Sequence, residues 1–527
     1  MVRHTTKRSA GILAVAILVL ASLFGLAFAQ GGAAAPGTPV SGGTLRVAIT
    51  GDPPTLDPHT STAVIVLEIA SHVSEYLYAR DAGGTVTPML AAALPTISAD
   101  GLTYTIPVRE GVVFHDGSSL DAGDVVDSLD RWRRLGFGKG VLAGATIAAA
   151  DDHTVVITLP APVGILTGVL GWTEGAAVIY SSEQIAAIGD SPNDAPIGTG
   201  PYRLAEWTRG QEVVLERFDG YVGLTDAPSG DAGAKNAYLD TIRFIAVSDA
   251  ATRQAGLESG EYDVNYRAAA SDLEYMNASD SMYAWLMRPG YNYIALINHA
   301  SPVMQDLKLR QAIQAAIDVY PLMLGAFGDD AVFALTPTIV PAEYGPMANT
   351  TAGAELYDQH DAVKAMQLLS ESNYDGQTIR WITSRDFDYQ YRGTLIAVDQ
   401  TDAIGLTSEI IVRDWATTVA TRADPTAWDI FIGNFTIAPE PEMISYLNPT
   451  YLNGYTGSDE YAALLAELKT TADPDRRVAI WSDAQAAFYE DAGAIQMANT
   501  FLVNGYASDV HVEARYFLFQ AWNTWKE

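Results

Sequence analysis

Alternation of apolar and polar residues marks Thr44 to Thr50 (TLRVAIT) as a strand. The next stretch, Asp52 to Pro58 (DPPTLDP), must turn, because Pro53, Pro54 and Pro58 fix φ and forbid helix. From Ala63 to Tyr78 the apolar positions change to helical spacing, with Ile65, Ile69, Val73 and Tyr76 on one face. The same two periods predict strands at Tyr104 to Val108, Thr154 to Leu159, Val213 to Arg217, Thr241 to Val247, Tyr293 to Asn298, Thr378 to Ile382, Glu409 to Val412 and Asp429 to Gly433. They predict helices at Asp121 to Arg134, Asp249 to Ser259, Asp306 to Ala316, Asp361 to Ser370, Gln390 to Asp402, Ser458 to Thr471 and Asp475 to Glu490. Interleaved strands and helices predict α/β layers. No repeat of fixed period is present, which removes solenoids and propellers.

The second half gives the clearer topology. From Thr378 it reads strand, loop (Ser384-Arg385-Asp386-Phe387), helix, strand, then a further strand after Trp428. Such a βαβ unit forms a parallel sheet with a right-handed crossover. Ligands of open α/β sheets collect beyond the carboxyl ends of the strands, so the loop at 384 to 389 is a binding candidate on topology alone.

Composition narrows the chemistry. The 527 residues hold 31 Lys+Arg against 63 Asp+Glu and contain no Cys, which excludes thiol nucleophiles, Cys-ligated zinc, iron–sulfur clusters and disulfides. A net charge of −32 repels nucleic acid and anionic lipid, so neither is expected as a partner. Arg3, Lys7 and Arg8 precede an uncharged stretch from Ala10 to Ala29 ending in Ala27-Phe28-Ala29, the order of a secretory signal cleaved after Ala29. An uncleaved membrane anchor is the alternative. Residues 30–42 (QGGAAAPGTPVSG) read as a flexible linker. With no Cys to carry a lipid, the mature protein is expected to diffuse freely in a periplasm.

No nucleophile elbow, zinc-protease helix, phosphate loop or calcium loop is found. The histidines at 4, 59, 72, 115, 153, 299, 360 and 511 never fall at helical ligand spacing. Asp/Glu pairs are too common in so acidic a chain to mark a glycosidase. No catalytic residue, metal or cofactor is therefore assigned, and a secreted hydrolase is a remote alternative. The 26 Tyr, 10 Trp and 15 Phe suit reversible capture of a solute, although core packing explains most of them.

At this point the motifs resemble bacterial extracellular solute-binding proteins of the peptide/nickel-binding type, the receptors of ATP-driven (ABC) importers. Gly43 to Pro58 resembles the family's opening strand and Leu-Asp-Pro turn. Asp100 to Val126 resembles its signature stretch, Pro196 to Gly210 its Gly-Thr-Gly-Pro-Tyr segment, Asn292 to Asp318 the opening of its second lobe, and Trp428 to Pro441 the strand and cleft loop that follow. The motifs themselves read as scaffold: tight turns at Gly117, Gly198 and Gly200, and an N-cap at Asp121. The resemblance implies an α/β two-lobed periplasmic-binding-protein clamp, class II-like, with an extra subdomain inserted in lobe one. Lobe one is expected at 43–288 plus 495–527, with the insertion at about 59–190, and lobe two at 289–494.

The resemblance also implies a site. Phe435 falls where relatives place a cleft Trp and is expected to wall the ligand, with Trp172 facing it from the insertion. Arg385, at the mouth of the predicted helix, is the candidate for a ligand carboxylate, and Tyr389 for a hydrogen-bonding wall. Trp415 is expected to serve packing. Dipeptide and oligopeptide receptors hold the peptide ammonium with an Asp after the cleft Trp. Here Ala438 or a gap takes that position, leaving Glu440 or Glu442 as substitutes, or else a ligand without an α-amine. The expected function is capture of a peptide or peptide-like solute by a monomer and delivery to an ABC permease in the inner membrane. A sensor subunit of the same fold and a binder of a metal chelate or oligosaccharide are the alternatives, with nickel carriage unsupported because the histidines do not cluster.

Overall fold

The computed structural model describes residues 37–448, 451, 454–512 and 518–527. The expected secretory signal and the first part of the expected linker lie outside the described residues. The first half of the chain supplies β1 (Thr44–Ile49), β2 (Tyr78–Arg80), β3 (Val86–Pro88), β4 (Thr96–Ile97), β5 (Thr103–Pro107), β6 (Thr146–Asp151), β7 (Thr154–Thr158), β8 (Tyr202–Thr208), β9 (Glu212–Arg217), β10 (Thr241–Ala246) and β11 (Val264–Asn265). The second supplies β12 (Met282–Ile297), β13 (Phe333–Leu335), β14 (Thr378–Ser384), β15 (Thr407–Arg413), β16 (Ile430–Thr436) and β17 (Ala494–Ala507).

One sheet runs through the molecule in the order β15-β14-β16-β12-β17-β11-β1-β10-β9-β8, with β13 paired to β17 beside it. At its centre β12 and β17 are long antiparallel partners that serve both halves. Met282 to Met287 pair with Leu502 to Ala507, and Tyr291 to Leu296 pair with Ala494 to Thr500, with the register broken between Met287 and Tyr291. The carboxyl end of β17 also holds β11, and its middle holds β13. β14 pairs in parallel with both β15 and β16, and helix Asp388–Asp402 makes the crossover, so the βαβ unit forms as its pattern predicts.

Separate apolar cores lie on the two sides of this central pair. One side is built on β1, β9 and β10 around Leu45, Val47, Ile242, Phe244 and Trp522. The other holds Trp381, Ile313 and Leu322 on one face of the sheet and Trp428, Phe431 and Trp481 on the opposite face. A four-stranded sheet, β4-β5-β7-β6, carries its own core around Phe114, Trp132 and Ile157.

The motifs do act as scaffold. Asp121 accepts from the amides of Gly123 and Asp124 while Asp124 accepts from the Asp121 amide, a complete capping box for helix Ala122–Leu135. On that helix Arg131 donates to both carboxylate oxygens of fully buried Asp57, which also takes the amides of His59 and Asn193. The Leu-Asp-Pro turn is thereby tied to the inserted unit.

Two expectations on extent are revised. The first helix covers only Val64–Val73, because Ser74 turns extended where the backbone of Gly198 and Gly200 presses on Val73. A Cβ at Gly198 would lie 2.0 Å from the Val73 carbonyl oxygen, so only glycine fits there. The strand expected at Tyr293 begins earlier, at Met282, and β17 carries no alternation at all, since both are buried on both faces for most of their length.

Candidate functional site

The two sides of the sheet meet across a crevice at the ends of the strands, and the contacts there are polar. The tight turn after β2 brings Gly84 (φ +77°) against Gly345; a Cβ at Gly84 would lie 2.3 Å from the Gly345 nitrogen. Arg80, at the end of β2, donates through Nη1 to the Gly84 carbonyl at 2.8 Å and through Nη2 to Oε1 of Glu440 at 3.2 Å. Gly168 lets the carboxylate in, because a Cβ there would sit 2.7 Å from Glu440 Oε1. On its far side Glu440 accepts from Nη2 of Arg477 at 2.8 Å, and the same nitrogen reaches both oxygens of Glu442 at 2.9 and 3.0 Å. Two guanidiniums and two carboxylates thus balance in a buried chain. Burial, with Glu440 adding to it, pushes the Glu442 carboxyl up, and Arg477 opposes.

Trp172 enters beside this chain. Its ring is buried with Tyr344, Met347, Phe435 and Ile437 of the opposite side and meets Phe137 edge-on at 5.7 Å. The indole Nε1 has no partner among the described residues. The next two residues continue the crevice: Thr173 donates to Asp231 at 3.0 Å, and Glu174 accepts from the Tyr344 hydroxyl at 3.4 Å. Burial pushes Glu174 up to about 8, with Asp231 adding while Tyr344 and Arg80 oppose. Arg80, Trp172, Glu174, Asp231, Tyr344 and Leu518 line one pocket.

Tyr389 lies in a second group. Its ring stacks on Phe327 at 5.3 Å and stands near Tyr293 and Phe387. Its hydroxyl meets the side chains of Gln390 and Asn434, and burial followed by Tyr291 raises it to about 12. Asn434 also accepts from Thr500 Oγ1 at 3.3 Å.

The structure therefore brings Glu440 and Glu442 together on Arg477, sets Trp172 beside Arg80 and in one apolar cluster with Phe435, and places Tyr389 in a separate group. Phe435 turns into the core beneath the crevice, 5.6 Å from Tyr446 and 6.1 Å from Phe431, and its neighbour Asn434 takes the face toward Tyr389. Arg385 is exposed and donates to the Tyr391 hydroxyl at 2.8 Å. Trp415 packs edge-on against Phe387 at 5.0 Å. Sequence reasoning missed Arg80, Glu174, Tyr344, Arg477 and Asn434. Only Glu174, two residues from Trp172, had a local signal. Elsewhere, Asp318, Asp358 and His360 bring one ligand-type atom each within 4.8 Å on the outer surface, with His360 exposed.

Two α/β lobes sharing a central strand pair, an inserted sheet and a polar crevice between them define a two-lobed solute-binding clamp of the periplasmic type. Residues 85–458 match the model of bacterial extracellular solute-binding proteins, family 5 (middle region), and the chain belongs to that family. It is 26% identical over 474 residues to a probable peptide ABC transporter periplasmic-binding protein, y4tO, of Sinorhizobium fredii, covering 86% of this chain and 87% of that one. It is 27% identical over 474 residues to the glutathione-binding protein GsiB of Pectobacterium atrosepticum, covering 85% and 87%. The fold is similar to the ABC transporter substrate-binding protein CtaP of Listeria monocytogenes, with a TM-score of 0.79 at 23% identity over 92% of this chain and 99% of that one. The family is one of solute-binding proteins of importers, not of enzymes.

Proposed function

We propose that the chain is the substrate-binding component of an ABC importer that captures a peptide or peptide-like solute between its lobes, alters none of its bonds, and presents it to a membrane permease. The observation that carries this reading is the crevice: polar and aromatic groups of both lobes converge there, and β12 and β17 are the strands that join the lobes. A solute that touches both sides favours the closed form; one with equal affinity for open and closed forms shifts nothing. The names of y4tO, a probable peptide transporter component, and GsiB, a glutathione-binding protein, support this class of solute. In this reading the lobes are 43–288 with the tail from about 495, and 289–494, with the insertion at about 59–190; the pairing of β17 favours a second junction near 500 to 502. Trp172 and Tyr389 wall the solute, Glu440 and Glu442 serve the closure between lobes, and Arg385 stands at the rim. Export through a signal cleaved after Ala29 and action as a monomer in the periplasm belong to the same proposal.

Mass spectrometry of solutes released by mild denaturation tests it. A peptide recovered intact is expected. Returned to the stripped protein at a hundred times its Kd, it adds about 2.7 kcal/mol of stability. Recovery of cleaved peptide, or no stabilisation by any recovered solute, overturns the reading.

A further inference from the structure

Arg267, itself half-buried, stands out against the buried arginines. Arg131, Arg310 and Arg477 each have both terminal guanidinium nitrogens or all three nitrogens engaged by carboxylates or carbonyls. Arg267 donates through Nε to the Tyr266 hydroxyl at 2.7 Å, but its Nη2 is shielded from solvent and has no partner among the described residues. No other arginine there leaves a buried terminal nitrogen unpaired. A buried, unpaired charged donor costs free energy that the fold must recover elsewhere.

The placement of Arg267 is over-determined. Its φ of +52° is unusual for a residue with a side chain, and it is fixed from both ends. The amide donates to Asn504 at 2.9 Å, and the carbonyl accepts from Arg253 at 3.3 Å. The residue follows β11 at the carboxyl end of the parallel β1–β11 pair, where α/β sheets gather ligands. Across from it stand residues of the other lobe: Tyr291 acts on the charge of Arg267, and Arg267 acts on the hydroxyl of Tyr389, which in turn meets Asn434.

The charge around it is not fully offset. Glu68 and Arg267 feel each other's charge, but the hydrogen bonds between them run by way of Tyr266, whose hydroxyl donates to Glu68 at 2.8 Å and accepts from Arg267 at 2.7 Å. Burial holds Glu68 up at about 7 despite Arg267, the Phe519 amide and Tyr266, so near neutral pH it supplies only part of a negative charge.

We infer that Nη2 of Arg267 receives a carboxylate of the bound solute, and that Tyr389 and Asn434 close over the same group from the second lobe. The inference rests on the solute-binding reading and names the anionic end of its ligand. It assigns the carboxylate to Arg267 in place of Arg385, which is exposed and already engaged by Tyr391.

The probe is a casein hydrolysate, used untreated and after methyl esterification of its carboxyl groups. Stripped native protein and the variants Arg267→Gln, Arg267→Lys and Arg385→Gln are each incubated with both pools, and captured peptides are counted by mass spectrometry. The native protein is expected to capture at least tenfold more from the untreated pool. R267Q loses that preference, R267K retains part of it, and R385Q behaves as native. Equal capture from both pools by the native protein, or full capture of acids by R267Q, overturns the assignment while leaving the peptide reading intact. Capture from neither pool overturns both. If R267Q folds poorly, the esterified arm on the native protein and the charge-conserving R267K decide the matter.

Discussion

Arg80 donates across the crevice to Glu440, a residue 360 positions later in the chain, and Glu440 in turn accepts from Arg477 of its own lobe. Each guanidinium is nearly inaccessible, with 7% and 4% of its side chain exposed, so the pairs are buried rather than superficial. Removing one partner of a buried pair strands the other charge, at a cost of about 3–5 kcal/mol.

Arg477→Met should show this most directly. It leaves Glu440 and Glu442 as neighbouring buried carboxylates with Arg80 as their remaining cation. A loss of about 3–5 kcal/mol in urea unfolding is expected, most of it restored when Glu442→Gln is added. A loss below about 1 kcal/mol would show that the network contributes little.

Gly84→Ala tests how closely the lobes must approach. The new Cβ meets the Gly345 backbone at 2.3 Å, and the φ of +77° adds strain of about 1–2 kcal/mol. Closure should be hindered more than folding: solution scattering is expected to give a larger radius of gyration with saturating solute, and affinity should fall more than tenfold. Unchanged compaction would place the closed contact elsewhere.

The pH dependence has a definite sign. Glu174 is raised from its ordinary 4.5 to about 8, so between those values the native state holds a proton that the unfolded chain releases, and stability falls as pH rises through the window. Glu68, at about 7, acts in the same direction. Buried His59 and His72, lowered to about 4, act oppositely: their contribution is lost as pH falls from 6.5 toward 4. Above pH 7 the acids dominate. The melting temperature is expected to drop by about 1 °C between pH 7 and 8.5 and to lose most of that slope in Glu174→Gln.

Asp57→Ala separates scaffold from site. It leaves the fully buried Arg131 without its carboxylate and should destabilise by about 3–5 kcal/mol. Acid-selective capture by the folded fraction should be unchanged, because the pair ties the Leu-Asp-Pro turn to the inserted unit and takes no part in the contacts of the crevice. Altered selectivity would assign the Leu-Asp-Pro turn a role in recognition.

The fold was legible in many elements with one face in solvent, although strand Thr146–Asp151 and helices Ser182–Ile188 and Trp415–Arg422 escaped. Helix 122–135 shows its apolar stripe, its cap and its basic last turn, and β5, β7 and β9 alternate cleanly. β17 was invisible because AIQMANTFLVNGYA is buried on both faces and therefore has no period. The site was legible only in part. Glu440 and Glu442 meet on Arg477, yet their arginine partners, Arg80 and Arg477, are brought near by tertiary structure alone. Whether Phe435 or Asn434 faces Tyr389 is a one-residue question of strand phase, and a strand covered on both sides gives no clue to it.

The linkage between the lobes has a mechanical consequence. β12 and β17 extend for 16 and 14 residues, about 50 Å each, and are hydrogen-bonded to one another along most of that length. Two separate loops would let the halves swivel and slide independently. A ribbon of paired strands bends easily across its flat face and resists shear in its plane, so it behaves as a leaf spring. The jaws are thereby held to one direction of travel, and each opening returns them to the same alignment.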